Sequence, residues 1–311
     1  MISRQSRLLP ALCIAIIAAG GSCRTAPTTK QANRVKVEPL KIEHVEAEHV
    51  ESEPITAILG AFEAEVVLLQ NELADRRDHQ IEGMEFAAGK MNGKQVVIAW
   101  TGIGKVNAAM TTTLLIEHFK PKEVIFTGIA GAVNPDLHPG DIVIARKTAH
   151  HDMGTIWPEG LFFVGVKNRL TGMENPVFFP ADEKLLQLAQ RAAGKVGLRK
   201  IDTVEGKREP KIINGVVVTG DAFIASDKKC EELRKKLDAD AVEMEGAAVA
   251  QICYQREIPH LVIRSISDKA DEGAVADKQL FYILAARNSS DLVSEMMRLA
   301  ADGQSQENEN R

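Results

Sequence analysis

The sequence predicts a single α/β domain in which helices flank a central twisted sheet that is mixed but mostly parallel. Short apolar runs with strand character alternate with segments of helical spacing from residue 55 to residue 299, which is typical of that class. The 311-residue chain is 45% hydrophobic, so it has enough apolar side chains to bury such a sheet on both faces. Acidic side chains follow several of the strand-like runs, at the edge where α/β sheets bind ligands.

Strands are predicted where short apolar or β-branched runs are bounded by glycine, proline or polar residues. In chain order these runs are Ile55–Leu59, Met84–Ala88, Val96–Trp100, Glu123–Thr127, Ile142–Ala145, Ile212–Val218, Ala241–Met244 and His260–Ile266. Asn92 and Gly93 lie between the second and third runs, and this dipeptide favours the tight turn of a hairpin.

Helices are predicted where apolar residues recur every three or four positions. In chain order these segments are Phe62–Leu73, Asn107–Phe119, Leu185–Val196, Asp227–Leu237, Ala247–Gln255 and Leu280–Leu299. Val66, Leu69 and Leu73 illustrate the pattern, because they fall on one face of the first helix. Several of these helices stand between two predicted strands, as the crossover connections of a parallel sheet require.

Polar side chains stand at the ends of four predicted strands, where the carboxyl ends of parallel strands meet. They are Glu63 and Glu65, then Thr101, Gly102 and Gly104, then Glu243 and Glu245 around Met244, and finally Asp268. A carboxylate in a buried position is costly unless it is paired or used in chemistry. The four strand ends are therefore predicted to converge on one pocket.

Each of these residues also has a plain structural interpretation. Glu65 alone is consistent with a solvated first-turn glutamate that the helix dipole stabilises, and Asp268 with a helix N-cap. Phe223 fits an ordinary core position, and Arg264 fits a buried partner for one of the acids. Thr101–Val106 contains neither a phosphate-loop nor a dinucleotide-binding pattern. The alternative to a ligand-binding loop at this segment is a simple turn.

Composition and spacing exclude several classes of function. The net charge is −5 with both signs mixed along the chain, and two Trp and two Tyr offer little surface for stacking on nucleic acid. His150 and His151 are neighbours in a predicted extended segment, so they would point to opposite faces and make a poor metal site. We therefore expect no nucleic-acid partner, no metal and no cofactor.

Residues 1–23 have the pattern of an export signal. Arg4 and Arg7 precede an apolar run, Leu8–Ala19, which is too short to span a bilayer as a helix. Small residues then lead to Cys23, as in lipoprotein signals, although such signals usually carry leucine where this chain has Gly20. The alternatives are a lipid anchor on Cys23, an ordinary cleaved signal, an uncleaved anchor and a chance pattern. The first three predict export to the cell envelope or periplasm.

Composition divides the rest of the chain into three parts. Residues 24–53 are rich in Thr, Pro, Lys and Glu and predict a flexible linker, residues 54–300 predict the folded domain, and residues 301–311 predict a disordered tail. Cys230 and Cys253 fall in the domain without a metal-binding spacing, and their pairing is left open.

Seven motifs of the domain match a known family in order. They are Ile58–Glu65, Thr101–Val106, Thr127–Gly131, Gly140–Val143, Gly220–Ile224, Val242–Glu245 and Arg264–Asp268. Together they resemble the nucleoside phosphorylase superfamily, and within it the nucleosidases that cleave 5'-methylthioadenosine and S-adenosylhomocysteine. The resemblance implies the fold of that superfamily, an N-glycosyl hydrolase that releases adenine, and a homodimer in which the neighbouring subunit closes the pocket.

The resemblance also implies a role for each candidate site residue. Glu65 would activate the attacking water, and Asp268 would protonate the purine at N7. Around the substrate, Glu245 would hold the ribose hydroxyls and Met244 would contact the sugar. Phe223 would stack on adenine, and the backbone of Ile224 would bind the edge of the base. Thr101 and Arg264 would help to place the water. Gly102 also stands at a matching position of the substrate site.

Two other functions compete with this one, a sister enzyme and a binding protein of another class. A phosphorylase of the same fold would need a cationic or glycine-rich phosphate cradle, whereas the first loop here carries Glu63 and Glu65. A surface nucleoside-binding protein without turnover would have no need for both an acid and a base. The sequence departs from the family at Asp271–Lys278, which lacks the aromatic residue often found near the sugar 5' substituent, and at the long segment Gly154–Pro180.

Overall fold

The computed structural model describes residues 53–203 and 206–309, which belong to one compact unit. The predicted signal at 1–23, with Cys23, and nearly all of the predicted linker at 24–53 lie outside these residues. No helix in the described ranges combines the length and the apolar character that crossing a bilayer would require.

The described residues form fifteen strands and six helices. The strands are β1 Thr56–Gly60, β2 Ala74–Ile81, β3 Met84–Met91, β4 Lys94–Trp100, β5 Glu123–Phe126, β6 Ile129–Ala132, β7 Ile142–His150, β8 Gly154–Trp157, β9 Gly160–Phe163, β10 Phe178–Pro180, β11 Ile201–Thr203, β12 Gly206–Arg208, β13 Ile212–Thr219, β14 Ala241–Glu243 and β15 His260–Asp268. The helices are α1 Glu63–Asn71, α2 Lys105–Phe119, α3 Glu183–Ala193, α4 Asp227–Leu237, α5 Gly246–Gln255 and α6 Ala274–Glu309.

The main sheet has the order β10-β7-β13-β14-β6-β15-β5-β1-β4-β3-β2. An additional antiparallel pairing between β7 and β15 closes five of these strands into a ring, which the sequence did not predict. The sheet is mixed, as predicted. It is less parallel than predicted, because β2, β3 and β10 and the pairs β14–β6 and β15–β7 are antiparallel.

Two irregular registers bend the long strands of the ring. The β13–β7 register shifts between Gly215 and Val216, and the β15–β6 register shifts between Ile266 and Asp268. Such bulges increase local twist and redirect side chains. The second bulge places Asp268, rather than Ser267, opposite Gly131, so it determines which side chain closes that end of the strand.

The hydrophobic core lies on both faces of the sheet. On one face, α2 and α5 contribute Leu115 and Val249 to a buried cluster with residues of β1, β4 and β5. On the other face, α1, α3 and α6 contribute Leu69, Leu188 and Met296. Because helices cover both faces of the sheet, the polar side chains gather at the carboxyl ends of β1, β14 and β15.

Each strand and helix predicted from the sequence has a counterpart, and several end differently. The hairpin predicted at Asn92 and Gly93 is confirmed: the two residues join β3 to β4, and their φ values are positive, 50° and 83°. β7 and α6 are longer than predicted. The last helix begins at Ala274 and continues to Glu309, through most of the segment predicted as a disordered tail, because that segment contains helix-forming Ala, Gln and Glu and no proline.

Candidate active site

A pocket opens at the carboxyl ends of β1, β14 and β15, where the sequence placed its candidate acids. Its volume is small, about 60 Å³, and its walls combine acidic, aromatic and backbone groups. The residues that line it are Ala61, Phe62, Glu65, Ile103, Ile129, Ala130, Gly131, Phe223, Val242, Glu243, Met244, Glu245, Ser267, Asp268 and Lys278. The predicted convergence of the strand ends is therefore confirmed for Glu65, Glu245 and Asp268.

Glu65 lies in the first turn of α1 with only 1% of its surface exposed, so it is not the solvated glutamate of the plain interpretation. Its Oε2 accepts hydrogen bonds from the amides of Ala61 and Phe62, and its Oε1 accepts one of 2.9 Å from the amide of Ile129. Gly128 allows this approach, because a Cβ there would clash with the carboxylate. Burial raises the pKa of Glu65, while the charge of Arg264 and the three amides oppose that rise.

Asp268 ends β15 and is 1% exposed. Its Oδ2 accepts a 2.7 Å hydrogen bond from the Ser267 hydroxyl, and its Oδ1 accepts one of 2.9 Å from the amide of Ala270. Burial raises the pKa of this carboxyl despite these two hydrogen bonds. Because α6 begins only at Ala274, Asp268 is not the N-cap of that helix.

Glu243, which lines the pocket, forms a buried ion pair with Arg264 beneath it. The Nη2 and Nε atoms of Arg264 lie 2.7 Å and 3.2 Å from Oε2 of Glu243, and both side chains are nearly inaccessible. The guanidinium also donates to the carbonyls of Phe126 and Ile263 and lies 4.1 Å from the centre of the Phe126 ring. Arg264 therefore does not line the pocket, and it is engaged by Glu243, a residue that the sequence placed at a strand end without giving it a role.

Glu245 joins two of the converging loops. It stands at the N-terminus of α5, and its Oε1 accepts a 2.8 Å hydrogen bond from the amide of Gly104, which itself precedes α2. Gly104 has φ of 94°, a conformation that favours glycine. Burial and then the neighbouring Glu243 charge raise the pKa of Glu245 to about 8.

This raised pKa predicts a pH-dependent contribution to stability. The folded state holds the Glu245 proton more tightly than the unfolded chain, so the free energy of unfolding falls as pH rises from about 4.5 to about 8. Glu245→Gln keeps an oxygen for the Gly104 amide and removes the titration. We expect it to gain stability relative to the native chain across that window, by at most about 1.4 kcal/mol per pH unit.

Chemical denaturation of both proteins at a series of pH values measures this difference. Glu231→Gln is the control, because it removes an exposed carboxyl on α4, outside the pocket. Parallel curves for the native chain and Glu245→Gln would show that Glu245 is ionised equally in the folded and unfolded states.

The remaining predicted residues divide between the pocket and its supports. Phe223, which is 42% exposed, and Met244 line the pocket. Ile224 instead packs against the core beside α4, while Thr101 is buried and donates from Oγ1 to the carbonyl of Gly102. Gly102 has φ of 81° and shapes that loop.

Three pocket features were not predicted. The Ile129 amide binds Glu65 and the Ser267 hydroxyl binds Asp268. Both residues belong to family motifs, Thr127–Gly131 and Arg264–Asp268, and membership in these motifs was the available signal. Lys278 reaches the pocket from α6, with Nζ 5.1 Å from the centre of the Phe223 ring. Its segment stood out only for lacking an aromatic residue.

Two other groups of reactive side chains are placed as follows. His150 exchanges a 3.0 Å hydrogen bond with Gln251, and across the described residues no three His, Cys, Asp or Glu side chains are grouped as a metal site. Cys230 and Cys253 are both free and buried, in separate core clusters.

Comparison with known proteins assigns the chain to a family. Residues 55–298 match the model of the phosphorylase superfamily. A 5'-methylthioadenosine/S-adenosylhomocysteine nucleosidase of Anoxybacillus flavithermus is 38% identical over 242 residues, which cover 78% of this chain and 97% of the relative.

Two solved structures share the fold of this chain and 30% or more of its sequence. The nucleosidase of Neisseria meningitidis, in complex with methylthio-immucillin-A, has a TM-score of 0.67 and 35% identity over 78% of this chain and 98% of its own. Futalosine hydrolase of Helicobacter pylori has a TM-score of 0.67 and 30% identity over 78% of this chain and 97% of its own. The chain therefore belongs to the phosphorylase superfamily, and within it to the family of the 5'-methylthioadenosine/S-adenosylhomocysteine nucleosidases.

Proposed function

We propose that this chain hydrolyses the N-glycosidic bond of 5'-methylthioadenosine and S-adenosylhomocysteine, releasing adenine and the 5-thioribose product. One observation carries the proposal. Glu65 and Asp268 are buried carboxyl groups from different strand ends, and they line the same pocket as the exposed ring of Phe223. The relatives named for this activity match the chain over nearly their whole length.

Asp268 is proposed as the general acid. Cleavage of an N-glycosidic bond develops positive charge on the sugar, and adenine leaves poorly until N7 accepts a proton. Burial raises the pKa of Asp268, so a larger fraction of this carboxyl holds a proton to give. The 2.7 Å hydrogen bond from Ser267 fixes the orientation of the carboxyl group.

Glu65 is proposed as the base that activates water. A general base is most effective when its pKa lies near the working pH, and burial moves the pKa of Glu65 upward from its usual range. The amides of Ala61, Phe62 and Ile129 hold both carboxylate oxygens in place. The carboxylate also stabilises the positive charge that develops on the ribose.

Substrate contacts are proposed for the other lining residues. Phe223 presents an exposed ring to the adenine, and Met244 and Glu245 face the sugar, where a carboxyl oxygen of Glu245 accepts a hydrogen bond from a ribose hydroxyl. Ile224 would offer its backbone to the base edge. Thr101, Gly102 and Arg264 act from behind the pocket, Arg264 through its charge on Glu65 and Glu245.

Water is favoured over phosphate as the nucleophile by two contacts. The backbone amides that could cradle an anion near the first loop already bind the Glu65 carboxylate. The guanidinium of Arg264, which lies beneath the pocket, is already paired with the Glu243 carboxylate at 2.7 Å. An incoming phosphate would therefore meet a carboxylate where a phosphorylase needs a positive cradle.

The function is tested by incubating the purified chain with 5'-methylthioadenosine in phosphate-free buffer and measuring adenine by chromatography. We expect adenine release at the same rate with and without added phosphate. Glu65→Gln, purified identically, reports contaminating host nucleosidase and is expected to release almost none. A requirement for phosphate would identify a phosphorylase, and binding without release would identify a nucleoside-binding protein.

A homodimer and an exported location are further parts of the proposal. The β8–β9 hairpin exposes Ile156, Trp157 and Phe162, which are 82%, 58% and 52% accessible, and an apolar surface of this kind fits a second copy of the chain. The pattern of residues 1–23 supports export to the cell envelope, with a lipid on Cys23 as one mode of anchoring.

A further inference from the structure

An apolar groove continues outward from the catalytic pocket. It has a volume of about 520 Å³, and four of its residues, Phe62, Ile103, Phe223 and Lys278, also line the pocket. The rest of its wall consists of Val275, Gln279 and Tyr282, all from the start of α6. A nucleoside whose base and sugar fill the acidic pocket would extend its 5' substituent into this groove.

Lys278 is the one charged side chain among the residues that line the groove. It is half-buried, and it makes no ion pair within 4.0 Å with any described residue. Its ammonium lies 5.1 Å from the centre of the Phe223 ring, within range of a cation–π contact. A cation in this setting has lost part of its hydration and retains the capacity to bind an anion.

We propose that Lys278 selects adenine nucleosides whose 5' thioether ends in a carboxylate over those with a short neutral substituent. The inference rests on the proposed function and specifies the substrate class of the same site. S-adenosylhomocysteine, with its amino-acid tail, belongs to the favoured class, and 5'-methylthioadenosine does not.

The walls and the charge act on different parts of such a tail. The methylene groups of the thioether would pack against Phe62, Ile103 and Tyr282, where apolar contact is favourable. The terminal carboxylate would bind the ammonium of Lys278 in a charge-assisted hydrogen bond. A methylthio group is too short to gain the second contact.

Lys278 also removes an obstacle to an anionic tail. Four acidic residues line the adjoining pocket, and Lys278 is the one basic side chain among its lining residues, so it is the only lining group there that attracts a carboxylate by its charge. Lys278 stands where the pocket and the groove join, because it lines both. Its charge is thus placed between the catalytic acids and the end of the tail.

The test uses a pair of substrates that differ only in charge: 5'-(3-carboxypropyl)thioadenosine and its carboxamide. The native chain is expected to show a kcat/KM about 5- to 10-fold higher for the carboxylate than for the amide, the range of a partly buried charge pair. High salt should reduce this ratio, since salt screens the attraction. The rate with 5'-methylthioadenosine, measured alongside, reports whether the proposed function itself holds.

Substitution of Lys278 assigns the preference to this side chain. Lys278→Met should bring the ratio to about one, and Lys278→Arg should keep it, because only the latter keeps the charge. Lys235→Met, an exposed position on α4, makes the same change in net charge away from the site and should leave the ratio unchanged.

Three results would overturn the inference: equal kcat/KM for the two substrates in the native chain, a ratio that survives Lys278→Met, or a ratio that salt does not alter. If Lys278→Met fails to fold, the inference is still tested by the carboxylate-to-amide ratio of the native chain, by the salt dependence of that ratio and by the ratio in Lys278→Arg. If no substrate is cleaved at all, the proposed function fails, and calorimetric affinities for the carboxylate and the amide still test the role of Lys278.

Discussion

Asp268→Asn is expected to reduce adenine release by roughly 10²–10⁴-fold, the contribution of a positioned general acid. The asparagine has the shape of the aspartate and retains an oxygen for the amide of Ala270. The fold should therefore survive, and the loss should lie in kcat. Activity of the native enzyme should also fall as pH rises through the elevated pKa of Asp268, because the proton is then lost.

A nucleoside analogue with a leaving group that needs no protonation separates this role from a structural one. Asp268→Asn should cleave a p-nitrophenyl riboside with a far smaller loss, since the acid has nothing to protonate. Asp238→Asn is the matched control, because Asp238 is exposed and its left-handed backbone conformation suits asparagine. Near-native turnover of 5'-methylthioadenosine by Asp268→Asn would remove Asp268 from the mechanism.

Arg264→Met is expected to destabilise the domain by roughly 3–5 kcal/mol, because it leaves the carboxylate of Glu243 buried without its partner. For a domain of this size the thermal midpoint should fall by about 10 °C. The loss includes the contact of the guanidinium with the Phe126 ring. Calorimetry or thermal circular dichroism measures the change.

A double variant distinguishes an ion pair from simple packing. Removing both charges in Arg264→Met with Glu243→Leu should recover much of the stability, since no unpaired charge remains. Arg256→Met breaks a surface pair with Glu117 and should cost about 1 kcal/mol or less. If Arg264→Met is as mild as this surface control, the buried pair is not a major support of the pocket.

Much of the fold could be predicted because buried strands and amphipathic helices leave local signals. The strand β2 left none: Ala74–Ile81 is polar and exposed, and it is extended because it pairs with β3 at the edge of the sheet. The closing of the sheet into a ring was equally hidden. It depends on β7 pairing with both β13 and β15, which no local pattern specifies.

The candidate acids could be predicted because each follows an apolar run in a position where a solvated side chain is unusual. The partner of Arg264 could not, since Glu243 reaches it only through the packing of β14 near β15. Lys278 was missed for a local reason. Asp271 accepts a hydrogen bond from the amide of Gly273 in a turn that precedes α6. The helix therefore begins at Ala274, before the apolar pattern that predicted it from Leu280.

The central claim is that water, activated by Glu65, attacks the sugar while Asp268 protonates the base. The most direct test is to identify the sugar released from 5'-methylthioadenosine by mass spectrometry when excess phosphate competes with water. We predict free 5-methylthioribose and adenine in equal amounts. Formation of 5-methylthioribose 1-phosphate would contradict the account, because phosphate would then be the nucleophile.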